Sequence, residues 1–297
     1  MKVITPVEFQ TSHLLSTTAT DTVATYNEGT TYALGAKVIY GLDTIYESLQ
    51  NSNTGNTPST SPTFWLKVGP SNKYAMFDTE VGTQTTATSP LVVDIEPGAI
   101  TNSIAFLNVT GATTLQVDFY DEDGGTVVYT KTINMDNTHI VDWYMYFFEP
   151  YDYKTAVVLL DIPPYSTGVF RVTITGGGTV GVGAIVYGNF AQIGDTQYGV
   201  TLGNRDYSVK NTDEFGNTTF VKRAYSKRME PIVFIDNSRL RYVNNVLDKV
   251  RSTPTVWVAT DYEEYDPLIV YGFYRDYDID VAYPTASLVR LSIEGLI

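Results

Sequence analysis

Catalytic chemistry in this chain would have to be built from two histidines, a few clustered carboxylates and many tyrosines, since its 297 residues hold 2 His, 23 Tyr and no Cys. A histidine acid, base or triad would use His13 or His139, and neither sits in a nucleophile elbow or at a zinc-ligand spacing, so both read as structural or exposed. Asp261, Glu263, Glu264 and Asp266 are the kind of carboxylates that a glycosidase sets across a scissile bond. So close together on a Tyr-rich loop, they read better as a hairpin tip. Asp276, Asp278 and Asp280 alternate with Tyr277, Ile279 and Val281, placing three carboxylates about 7 Å apart along one strand face. Calcium needs about six to eight oxygens wrapped by a turn, which this segment lacks, and alternation alone explains a wet face. Gly176-Gly177-Gly178 is followed by no Gly-Lys-Ser/Thr, so it is a turn and not a phosphate loop. The expectation is a non-enzyme with no metal and no cofactor, and polysaccharide degradation is the enzymatic alternative.

Binding chemistry is better represented. Tyr32, Tyr40, Tyr46, Trp65 and Tyr74 fall within a segment of about 50 residues, with Asn53, Asn56 and Glu47 nearby as hydrogen-bonding groups. Flat, stiff rings of this kind stack on sugar faces or anchor a protein partner. The alternative is that Trp65 and two of the tyrosines are the core of a small module that has little else to bury.

The elements that must position these residues are mostly strands. Runs at 31–34, 37–40 and 45–49, punctuated by Gly35 and Gly41, suggest a small meander over residues 26–80. Residues 1–25 are Thr/Ser-rich and read as an arm or first strand that orders on assembly, and 82–90 has linker composition. Short alternating segments over residues 91–200 indicate a β-sandwich of jelly-roll type, in which Leu115, Val117 and Phe119 face inward and Asp121-Glu122-Asp123-Gly124-Gly125 turns a hairpin. Trp143 to Phe148 is too apolar to alternate, which predicts a strand buried on both faces or covered by a neighbouring subunit, core burial being the simpler reading. Residues 201–297 form a C-terminal β-rich domain with one α-helix, where Leu240, Val243, Leu247 and Val250 recur at helical spacing and Pro254 stops the run. The strands expected after it span 255–259, 268–274, 279–282 and 288–294. The fold class is therefore mainly β.

Two stretches resemble a known group. The run from Tyr26 to Asp78, ending in Asn72-Lys73-Tyr74-Ala75-Met76-Phe77-Asp78, is similar to the small chitin-binding-type carbohydrate-binding module at the front of tail and baseplate proteins of tailed bacteriophages. Lys222-Arg223, Arg251-Ser252-Thr253-Pro254, Trp257-Val258, Tyr271-Gly272 and Ile293-Glu294-Gly295-Leu296 resemble the same proteins. The resemblance implies a structural component of a tail tip or baseplate, assembled in the host cytoplasm and resident in the virion. Its partners would be copies of itself, other tail or baseplate proteins and fibres, and a cell-surface glycan. A free glycan-binding protein is the principal alternative.

Charge bears on partners independently of that likeness. A net charge of −14 argues against nucleic acid, whose binding depends on clustered Lys and Arg. Residues 1–200 hold 7 basic and 19 acidic residues and 201–297 hold 12 and 14, with ten of the basic residues between Arg205 and Arg251. Lys222, Arg223, Lys227, Arg228, Arg239 and Arg241 are the expected assembly contact, either as a patch complementary to an acidic neighbour or as a solvated face offsetting local acids. No run approaches the roughly 18 apolar residues of a spanning helix, and Met1 to Pro6 lacks the apolar core of a leader, so a protein free of membrane insertion is expected.

Overall fold

This computed structural model describes the chain except residues 139, 213, 261–267, 282 and 297. Its backbone is predominantly strand, as the sequence predicts. The largest sheet is antiparallel and curled. Its strands run in the order Ala156–Leu159, Ser103–Leu107, Ala184–Gln192, Lys2–Pro6, Thr255–Val258, Ile269–Asp280, Ala286–Gly295, Tyr225–Glu230 and Thr201–Asp206, with Ile232–Asp236 and Asp195–Thr196 branching alongside. Residues 2–6 are thus an interior strand and not a pendant arm. Val3 and Ile4 are fully buried on opposite faces, which fixes the register between Ala184–Gln192 and Thr255–Val258.

A second sheet, in the order Val127–Asn134, Thr114–Tyr120, Val169–Thr175, Leu91–Ile95 and Leu14–Thr17, closes the sandwich. Leu115, Val117 and Phe119 point inward as their alternation requires, and meet Ile104, Phe106, Ile185 and Tyr187 of the large sheet. The expected hairpin is present, with Gly124 at φ +69° and the Asp121 carboxylate accepting from the Glu122 and Thr126 N–H groups. The expected linker differs. Thr85–Thr88 pairs with Thr179–Val182, and the Asn72 side chain accepts from the Thr86 N–H, so this stretch is docked on the sandwich. Its threonines are strand residues presenting backbone groups to a neighbouring ladder.

The expected helix lies at Leu240–Lys249, entered through the 3-10 turn Asn237–Arg239, whose Asp236 cap accepts from the Ser238 N–H. Val243, Val246, Leu247 and Val250 pack on Trp257, Val270, Val289, Leu291 and Ile293. The two strands expected at 268–274 and 279–282 are one strand, Ile269–Asp280, bent by an irregularity between Tyr274 and Asp276. Ile4, Ala105, Leu107, Val186, Val258 and Tyr271 line the face away from the helix. There the sheet curls until Val158 and Leu160 share a groove with Ile269.

Trp143–Phe148 is a correction of another kind. It is a short α-helix, capped by Asp142 accepting from the Met145 N–H at 2.8 Å and stopped at Glu149, which precedes Pro150 and is extended. Cap and stop override the β-leaning composition, and none of its side chains is buried.

Candidate functional site

The aromatic segment folds as the three-stranded sheet Lys37–Tyr40, Thr44–Ser48 and Trp65–Pro70. Residues 31–34 form only the isolated bridge Tyr32 to Asn53, and the strand that the sequence left out is the one Trp65 opens. Gly41, at φ +78°, turns the first hairpin. Trp65 is 2% exposed, with its indole N–H donating to the Asn56 carbonyl at 2.8 Å. It is the core of the module and has no free face for stacking, so of the two readings the sequence leaves open for Trp65, stacking ring or module core, the structure shows the second. Tyr26 and Tyr32 meet it edge-on at 5.8 and 5.2 Å, and Tyr40 and Tyr46 continue the cluster at 5.7 and 6.3 Å steps. These four tyrosines are half-buried and keep part of their faces in solvent.

Tyr74 does not join them. It lies in the turn before the buried Met76 and contacts Phe9, whose ring stacks on Phe77 at 4.0 Å. Asn53 and Asn56 are occupied within the module: Asn56 donates to the buried Asn53 side chain, which donates to Ser48. Glu47 pairs with Lys37 across adjacent strands at 3.7 Å. The hydroxyl of Tyr26 is different, being buried with no hydrogen-bond partner among the described residues. Burial, with the Glu28 charge adding to it, pushes this phenol up.

The six basic residues expected to form one contact are divided. Lys222 and Arg223 sit on an arm beyond the sheet strands Thr201–Asp206 and Tyr225–Glu230, whose hairpin strands Val209–Thr212 and Thr218–Val221 pair with no other strand among the described residues and are exposed almost throughout. Arg228 is paired with Glu230, beside the Arg205 to Glu294 pair at 3.1 Å. Lys227 lines a groove of about 360 Å³ with Leu107, Ala156 and Tyr271, and burial alone pushes its ammonium down. Tyr271 in the same groove is pushed up to about 12 by burial and by the Asp78 carboxylate. Arg239 and Arg241 belong to the helix entrance, where Arg239 donates to the Gln192 carbonyl at 2.7 Å. Adjacency in sequence put them together, and the turn at residues 237–239 carries them away from the arm.

Core burial, the simpler reading of Trp143 to Phe148, is overturned, because this segment carries a run of exposed rings. Residues 136–138 and 140–153 leave the sandwich as a finger whose neck is closed by the Asn137 N–H to the Asp152 carbonyl and the Lys154 N–H to the Met135 carbonyl. Met135 is fully buried and anchors it. At the tip Trp143 is 79% exposed, with Tyr144, Tyr146, Phe147 and Phe148 each above 60%. The Asp142 cap and the Glu149-Pro150 stop were the available signals.

Of the two histidines, His13 is the one the structure describes. His13 lies 2.9 Å from the Tyr187 hydroxyl and edge-on to Phe9, and burial pushes its imidazole down against the opposing charge of Glu96. His139 and the cluster Asp261, Glu263, Glu264 and Asp266 lie outside the described residues. Asp276, Asp278 and Asp280 occupy the wet face of their strand while Tyr277 and Ile279 pack toward the helix. Among the described residues no group of three or more His, Asp or Glu is placed to hold a metal ion, and no helix is long and apolar enough to cross a membrane. No protein-family model matches the chain, and no curated protein matches its sequence.

Proposed function

We propose that the protein is a structural component of a phage tail tip or baseplate, which oligomerises around the tail and supports host attachment. The observation carrying this reading is the pair of projections from the sandwich, a finger tipped by exposed rings and a hairpin arm covered on neither face. An isolated two-stranded hairpin is marginal in water, and contiguous exposed rings mark a surface that meets something else. The sequence likeness of residues 26–78 and of the C-terminal motifs to phage tail proteins supports the setting. Mass by light scattering, alone and mixed with the proteins encoded beside it, tests the reading. A closed oligomer or a stable complex is expected, and a monomer in every mixture overturns it.

A second reading, a free glycan-binding protein, is favoured by one observation. Tyr26, Tyr32, Tyr40 and Tyr46 form a half-open cluster, a set of ring faces that suits a sugar. Binding of soluble chitin fragments by calorimetry, lost in Tyr46→Ala while the chain stays monomeric, would replace the first reading with this one.

A further inference from the structure

We propose that the finger of one copy docks on the basic arm of a second copy in a head-to-tail contact. The inference rests on the assembly reading and names the surfaces that carry it.

Charge identifies the occupant. Residues 136–153 contain Asp136, Asp142, Glu149 and Asp152 and no Lys or Arg. Beyond its sheet strands, between Asp206 and Tyr225, the arm holds Lys210, Lys222 and Arg223 against Asp213 and Glu214, a net +1, while the remainder of the chain, with 16 basic and 31 acidic residues, carries −15. The arm is thus a cationic projection on an anionic body, and its complement is present in the chain itself. Opposed patches of this kind steer encounter and fix register.

Apolar surface points the same way. The arm exposes Phe220, Val221 and, at its base, Tyr225, and Lys210 already lies 5.9 Å over the Phe220 ring, so cations and rings are interleaved there. Five aromatic side chains at the fingertip, at about 150–250 Å² each, offer on the order of 800 Å², one partner's share of a stable interface. Among the described residues the edge strand Thr201–Asp206 pairs with Tyr225–Glu230 alone, leaving its outer row of backbone donors and acceptors without a strand partner there.

The contact does not form within one copy. Finger and arm leave the body at Thr155 and Ala224 on the rim of the same groove, yet the rings of both remain exposed. Two different patches meeting between copies make a heterologous interface, which closes into a ring or propagates.

Sedimentation velocity of the full chain tests this with two variants confined to exposed side chains: Trp143→Ser with Phe147→Ser in the finger, and Lys222→Glu with Arg223→Glu in the arm. The unaltered chain should self-associate, with its dissociation constant rising as salt is added. Each variant alone should be a folded monomer, its dissociation constant raised about tenfold or more. Mixed one to one they should form a dimer and nothing larger, because one intact finger then meets one intact arm. Variants that assemble like the unaltered chain would overturn the contact and leave the assembly reading standing. A mixture that stays monomeric would overturn it too. An unaltered chain that is monomeric alone, yet forms a complex with proteins encoded beside it, would overturn the second copy as occupant and support the tail reading.

Discussion

Arg171 holds Asp94 in a two-pronged pair across adjacent strands, its Nε donating to Oδ1 at 2.7 Å and its Nη2 to Oδ2 at 2.9 Å, while the Ser16 hydroxyl donates to Oδ2 from the next strand at 2.8 Å. Three strands of the second sheet are tied at one carboxylate. Burial alone would push Asp94 up, but the Arg171 and Ser16 hydrogen bonds and the guanidinium charge hold it below its ordinary value. A carboxyl depressed in the folded chain contributes stability that is complete above its unfolded value, about 3.9, and is lost as pH falls through the lower folded value. Asp94→Asn should therefore destabilise the chain by about 1–3 kcal/mol at neutral pH and flatten the acid limb of a melting-temperature profile. Parallel profiles for the two proteins would show that this pair is unimportant.

The N-terminal strand makes a harsher prediction. Val3 faces the helix-side core and Ile4 the opposite face, both fully buried, so residues 2–6 hold the two halves of the large sheet together. Ile4→Ala should cost about 2–5 kcal/mol. Removing residues 1–6 should leave a chain without a cooperative unfolding transition. A soluble deletion variant that melts like the full chain would show that Ala184–Gln192 and Thr255–Val258 are joined without it.

These cases show where sequence reasoning reached and where it stopped. The alternation of Leu115, Val117 and Phe119 and the helical spacing of Val243, Leu247 and Val250 are local periodicities that state which face is buried, and both faces are found as expected. For residues 1–6 the sequence leaves both an arm and a first strand open, because being interior depends on partners about 180–190 and just over 250 residues away, which no local pattern records. Trp143 to Phe148 failed because composition outweighed punctuation. Trp65 was legible only as an aromatic, since a ring that stacks on a ligand and a ring that fills a core have the same sequence.

Trp65 and Tyr46 consequently separate stability from binding. With its indole sealed among Tyr26, Tyr32 and the Asn56 carbonyl, Trp65→Ala should cost the module about 3–5 kcal/mol. It should appear as protease sensitivity within residues 26–78. Tyr46→Ala, at the open end of the cluster, should leave that resistance intact and alter only what the module binds. Equal protease sensitivity in the two variants would mean that the tyrosines are core as well.

Fluorescence separates the three tryptophans. Trp65 and Trp257 are sealed, at 2% and 0% exposure, whereas Trp143 stands in solvent at the fingertip. Acrylamide should quench one component strongly in the dissociated chain, and Trp143→Phe should remove that component while leaving the blue-shifted emission of the other two. On the proposed finger contact, the same component should lose its accessibility as protein concentration rises or as a binding partner is added. Quenching that is uniform across all three residues would mean that the fingertip is folded back against the body, and then neither its rings nor its acidic flank would be available to a neighbour.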